Sequence, residues 1–211
     1  MKQRFFHSDV DIIQRTAVYQ GFFQLDNVRF KHRLFKGGWS PEVSRELLIR
    51  GAAVAAVLYD PRHQLIGLVE QFRIGALDRK PSEENRDEST SPWCYEVVAG
   101  ISEPNEPDDE VILRELQEEA GIVPDSITRI CEYMSSPGGS DETLTLYCAV
   151  ADLSLAGGVY GLENEMEDIR MVVLPEDEVF SSLYNGRYNN AATLIGLQWL
   201  QLNKDRLTLS G

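Results

Sequence analysis

Long apolar runs are missing from this chain of 211 residues. None approaches the roughly 18 consecutive apolar residues that a membrane-crossing helix needs. The opening MKQRFFHSDVD has neither an apolar signal core nor a small-residue cleavage site, so the expectation is a cytoplasmic protein with no membrane partner. Cysteine is scarce. Cys94, Cys131 and Cys148 are odd in number, widely spaced and without a C-x-x-C, which argues against a disulfide framework or a zinc site and for reduced, buried thiols. Histidine is scarcer in motifs than in number: His7, His32 and His63 stand alone and read as surface or strand residues. Positive charge is also short, with 20 Lys and Arg against 34 Asp and Glu and a formal net charge of −14. Nucleic acid is thereby excluded as a partner, because binding it depends on neutralising phosphates with Lys and Arg. The same shortage means that a phosphate-bearing substrate would need its counter-charge from bound divalent ions.

What is present is ordinary for one substantial globular core: 43% hydrophobic and 26% charged residues. Residues 9–35 alternate as strands with Gly21 at the break, GGWSPEV is a turn, and SRELLIRG resumes an extended segment. These first fifty residues make a three-stranded sheet, marginal by itself, that packs on the rest of the chain or on a second subunit. AAVAAVLY and LIGLVEQFRI read as a hairpin around DPRHQ, and LDRKPSEENRDESTSP as a long polar surface loop over 77–92. WCYEVVAG reads as one strand, SITRICEYMSS and ETLTLYCAVAD as two strands about the turn PGGSD, and LAGGVYGLENEMED as a glycine-and-acid loop. IRMVVLP is a further strand, PEDEVFSSLYNG a short helix, and NNAATLIGLQWLQLNK a closing helix that buries Leu194, Ile195, Leu197, Trp199 and Leu200. Strands and helices mix without regular alternation, the pattern of an α+β fold.

The stretch with the most chemistry is GISEPNEPDDEVILRELQEEAGI, from Gly100 to Ile122. Asp108, Asp109 and Glu110 favour a helix start there, and Pro107 suits its first turn. Gly121 is a natural stop. Glu115, Glu118 and Glu119 follow at spacings of three and four, which stacks them on one helix face. Such like charges repel, and a hard cation such as Mg²⁺ or Mn²⁺ between them relieves the repulsion. The opposite, apolar face is expected to be Ile112, Leu113, Leu116 and Ala120, packed on a sheet.

At every fixed position this stretch resembles the Nudix box, through Gly100, Glu106, Arg114, Glu115, Leu116, Glu118, Glu119, Gly121 and Ile122. Pro137, about sixteen positions past Gly121 in SSPGGSDE, and the shared EDIR further resemble the ADP-ribose pyrophosphatase subgroup. The resemblance implies a Nudix-type α/β/α sandwich with a mixed central sheet over 51–211, and a small N-terminal antiparallel sheet over 1–50 that exchanges between protomers of a homodimer. It implies two to three Mg²⁺ ions, replaceable by Mn²⁺, on the Ala99 carbonyl, Glu115, Glu119 and Glu167. Glu165 takes the place of the catalytic base, Glu118 supports or shares a metal, and Arg114 orients the box carboxylates. Substrate contacts fall on Phe22, as an adenine stack, and on Arg45, Arg73, Ile101, Pro137 and Gly138, with Arg45 acting across the dimer.

The activity so implied is Mg²⁺-dependent hydrolysis of ADP-ribose to AMP and ribose 5-phosphate. The nearest rival is the same chemistry on another nucleoside diphosphate sugar, such as GDP-mannose. A rival of a different class is a regulatory module that binds a nucleotide sugar without cleaving it; such a module is expected to have lost box carboxylates, and none is missing here.

Overall fold

Residues 54–59 are apolar on both faces, and both faces are covered. The computed structural model describes residues 4–78, 91–162 and 166–207, so most of the 77–92 loop, and Glu163 and Glu165, lie outside the described residues. Strand β4 (Ala52–Asp60) sends Val54, Ala56 and Leu58 into one core cluster and Ala55, Val57 and Tyr59 into another. This is the period-two alternation of a strand between two layers. The first cluster is closed by helix α1 (Asp108–Ala120) through Val111, Ile112, Leu116 and Ala120. The second is closed by α2 (Glu176–Ser181) and α3 (Ala191–Asn203) through Val179, Leu197 and Leu200, with Leu194, Ile195 and Trp199 partly buried against them. The result is the expected helix–sheet–helix sandwich.

The chain divides into two compact units, Met1–Gly51 with Met134–Thr143, and Ala52–Tyr133 with Leu144–Gly211. In the first, β1 (Val10–Gln20), β2 (Gln24–His32) and β3 (Val43–Ile49) form an antiparallel sheet in sequence order. Every residue of β1 is exposed, Ile12, Val18 and Tyr19 included. The turn segment around Pro137 joins this unit because Asp141 accepts the Arg50 and Gly51 amides at 2.7 and 3.3 Å, and Arg50 pairs with Glu142 at 2.6 Å. Those partners are about ninety residues apart in sequence, so local pattern carries no trace of them.

In the second unit an eight-stranded sheet runs in the order β10–β11–β5–β4–β9–β8, from β4, β5 (Leu65–Phe72), β8 (Ser126–Met134), β9 (Thr143–Val150), β10 (Gly158–Tyr160) and β11 (Ile169–Pro175). The remaining two strands correct the reading of WCYEVVAG as one element. It splits into β6 (Trp93–Glu96), which pairs with β5, and β7 (Val98–Ile101), which pairs with β4. The β4–β5 hairpin is paired only from Leu58 and Gly67 to its turn, and beyond that point the two short strands take its place. Val97, at the crossing, gives its amide to Thr193 Oγ1 of α3 at 3.0 Å. A second correction is β10, which lies inside the segment expected to be loop.

Candidate active site

Helix α1 begins after Pro107, whose backbone is still extended, and ends on Gly121 in the left-handed region at φ 66°. That conformation costs glycine nothing, and a side chain there would also strike the Tyr160 ring. The facing of the helix corrects the sequence reading in two places. Leu113 is 43% exposed while Val111 is fully buried. Glu115 and Glu119 do not lie on a solvent face opposite the core; both are buried, on the flank of the Ile112–Leu116 stripe. At 100° per residue Glu119 and Ile112 are near neighbours around the axis. The carboxylates therefore sit at the rim of the hydrophobic layer, against β7.

Their surroundings explain how they are held. Glu119 accepts the Ala99 amide at 3.1 Å, bringing the carboxylate to the backbone of β7. Burial, and then the charges of Glu115 and Glu167, push the Glu119 carboxyl up to about 8 against the opposition of the Ala99 amide. Glu115 is raised as well, first by burial, with Arg114 countering and Glu118 and Glu167 adding to the rise. Two buried carboxylates that resist ionising together form a hard-oxygen donor set short of positive charge, which fits a divalent cation such as Mg²⁺. Arg114 meets part of the shortage. Its guanidinium lies 2.8 Å from Glu115, 3.1 Å from Glu118 and 3.8 Å from Glu106. Glu106 in turn closes the loop before the helix, taking the Glu103 amide at 3.3 Å and giving its own amide to Glu103 at 3.1 Å.

Around this set the second unit places Arg73, Ile101 and Glu167. Arg73, just past β5, is held by Glu96 of β6 at 2.7 Å, a partner that the sequence reading missed. Ile101, at the end of β7, is exposed. Glu167 contributes to the raised state of both Glu115 and Glu119, so the three acids share one electrostatic environment. The first unit holds the other expected substrate residues. Phe22 is 87% exposed, edge-on to Phe23 at 4.9 Å, and Arg45 is exposed on β3. Pro137 and Gly138 stand in a turn closed by the Gly139 and Ser140 amides on the Ser136 carbonyl at 3.1 and 2.9 Å. Glu165 falls outside the described residues.

Two other groups of reactive residues are accounted for by structure alone. Asp60, His63 and Asp152 cluster at the β4–β5 turn. Asp60 there accepts the Arg62, His63 and Leu153 amides and lies 2.8 Å from His63 Nδ1. Burial opposes the Asp60 charge, yet these donors outweigh it and hold the carboxyl below its usual value. The cluster ties the hairpin to the segment after β9. The second group is the cysteines: Cys94 and Cys148 are buried, and burial pushes Cys148 up to about 12, which makes it inert.

Comparisons with known proteins show which family and fold the chain shares. An ADP-ribose pyrophosphatase of Haemophilus influenzae is 41% identical over 99% of this chain and 93% of its own length. A GDP-mannose pyrophosphatase of Pectobacterium atrosepticum is 30% identical, over 90% of this chain and 93% of its own length. A solved structure of an ADP compounds hydrolase has the same fold, with a TM-score of 0.65 at 18% identity over 94% of this chain and 97% of that one. No helix among the described residues is long and apolar enough to cross a membrane. The NUDIX domain profile matches residues 49–194, and the chain belongs to the Nudix family.

Proposed function

We propose that this protein hydrolyses the diphosphate of ADP-ribose, with Mg²⁺, to AMP and ribose 5-phosphate. The observation that carries the reading is the pair of buried carboxylates, Glu115 and Glu119, raised together at one end of a complete box. The strong similarity to an ADP-ribose pyrophosphatase over nearly the whole chain supports this substrate over its rivals. Glu115, Glu119, Glu167 and the Ala99 carbonyl hold the cations, two or three in number by the family pattern. Bound Mg²⁺ supplies the positive charge that an acidic protein lacks for diphosphate oxygens, and stabilises the charge that builds on them. Arg114 keeps Glu115 and Glu118 oriented, and Arg73, fixed by Glu96, offers a guanidinium suited to a phosphate or hydroxyl.

Glu165 takes the proton of the attacking water as that water's oxygen bonds to phosphorus and one phosphorus–oxygen bridge breaks. The two halves leave as phosphate monoesters. By the family pattern Phe22 stacks on adenine, and Arg45, Ile101, Pro137 and Gly138 complete the substrate contacts, with Arg45 supplied across a homodimer. Three cysteines, widely spaced and without a C-x-x-C, suit a cytoplasmic protein.

Glu165→Gln should lower turnover by about 10²–10⁴, the usual worth of a general base, with KM little changed. Unchanged turnover would remove Glu165 from that role. The second reading, GDP-mannose as substrate, is favoured by the more distant GDP-mannose pyrophosphatase relative. A side-by-side assay of ADP-ribose, GDP-mannose, NADH and diadenosine polyphosphates decides between them: the highest kcat/KM should fall on ADP-ribose. Mg²⁺-dependent turnover of any of these rules out a module that only binds.

A further inference from the structure

Between β10 and β11 the described residues Gly161, Leu162 and Met166 gather closely about one of the acids, Glu167. Gly161 sits at φ 106°, a region that L residues rarely enter. A β-carbon built on it would lie 2.7 Å from Glu167 Cβ and 3.1 and 3.2 Å from the Glu167 carbonyl oxygen and carbon. Two of these three atoms are backbone and cannot swing aside. The next residue, Leu162, is paired twice with Glu167: its amide donates to Glu167 Oε2 at 3.2 Å, and the Glu167 amide donates to the Leu162 carbonyl at 3.3 Å. Met166, just before Glu167, is also left-handed at φ 56° although its side chain is 92% exposed. A non-glycine residue stays in that region only where its surroundings hold it.

Gly161 is itself attached to the box helix. The Gly161 amide donates to the Glu118 carbonyl at 3.3 Å, next to Glu119 in the chain. A turn that merely led into β11 would not need its acid folded back on the Leu162 amide, nor a glycine whose missing side chain leaves room for the Glu167 β-carbon and carbonyl.

We propose that Gly161 and the Leu162 amide form a backbone clasp, fastened to α1 at Glu118, that positions Glu167 toward Glu115 and Glu119. One oxygen of Glu167 is kept by the clasp and the other is left for a cation, so Gly161 is a positioning residue for the metal site. This inference rests on the reading of Glu167 as a ligand, and its test separates the two.

The test is a titration of the full-length protein with Mn²⁺ alone, followed by calorimetry or by the loss of free-ion electron resonance, with no substrate present. Gly161→Ala should weaken Mn²⁺ binding by about tenfold, within the 10- to 100-fold expected when a residue orienting a ligand is lost. Glu167→Gln should weaken it at least as much, and the double variant no further than Glu167→Gln. Gly157→Ala is the control, since Gly157 has φ 149° but open space around its β-carbon; it should bind Mn²⁺ as the parent does. If Glu167→Gln weakens binding and Gly161→Ala does not, the clasp is wrong while Glu167 remains a ligand. If Glu167→Gln binds as the parent does, the ligand assignment itself is wrong. Should Gly161→Ala not fold, replacing Leu162 by its α-hydroxy acid exchanges the donating N–H for an ester oxygen and leaves every side chain in place. That variant should lose affinity several-fold, and parental affinity would overturn the proposal.

Discussion

Gly100 and Glu115 occupy one space: a β-carbon on Gly100 would lie 2.1 Å from Glu115 Cδ and 2.2 Å from its Oε1. Gly100 pairs with Val54 across β7 and β4, so it faces the layer in which α1 lies. The first glycine of the box is thus explained by the acid fifteen residues later, whose carboxylate needs the room.

Gly100→Ala should displace Glu115 while leaving the sheet paired, because the added β-carbon meets the Glu115 side chain rather than backbone and glycine is itself a weak strand residue. Turnover should fall by 10² or more, on the order of a misplaced catalytic group. Weaker Mn²⁺ binding should accompany it, measured by titration, with the far-ultraviolet spectrum unchanged. Parental metal affinity in this variant would contradict the steric account.

Glu119 makes the metal-free fold sensitive to pH. Its carboxyl is pushed from an ordinary value of 4.5 up to about 8, by burial above all. Between those values the unfolded chain gives up a proton that the folded chain keeps. The stabilisation from this group is therefore full below pH 4.5 and is lost as pH rises to about 8. The melting temperature of metal-free protein should decline over that window, and Glu119→Gln should flatten the decline. Because a cation competes with the same proton, stabilisation by Mg²⁺ should grow as pH rises. Identical melting profiles for parent and Glu119→Gln across the window would refute this.

Thr193→Val tests the fork where WCYEVVAG divides. Thr193 is fully buried and its hydroxyl takes the Val97 amide; valine has the same shape and no acceptor. Leaving that amide without a partner costs about 1–3 kcal/mol. In a chain of this size the melting temperature should drop by roughly 2–4 °C per kcal/mol, with activity per folded molecule retained. No loss of stability would mean that Val97 finds another acceptor.

The central strand was legible as the unbroken apolar run AAVAAVLY, and the helix as the 3.6-residue pattern of VILRELQEEA. The box was legible because its residues are fixed in spacing. The rest depends on partners distant in sequence. Nothing near Val97 signals that β5 and β4 take one half each of its segment. Glu96 and Arg73 are 23 residues apart, and Asp141 reaches Arg50 across 91. The buried state of Glu115 and Glu119 was misread for a physical reason: acids on a helix are ordinarily solvated, and only the approach of β7 turns this flank inward. Gly161 carries no local mark of its task, since its neighbour in space is an acid six residues later.

The most direct test is where a cation binds. Crystals grown with Mn²⁺ and a non-hydrolysable analogue of ADP-ribose, examined by anomalous scattering, should show density within coordination distance of both Glu115 and Glu119 and of the diphosphate oxygens. Anomalous density elsewhere, with Glu115 and Glu119 touching no ion while the analogue is bound, would contradict the account.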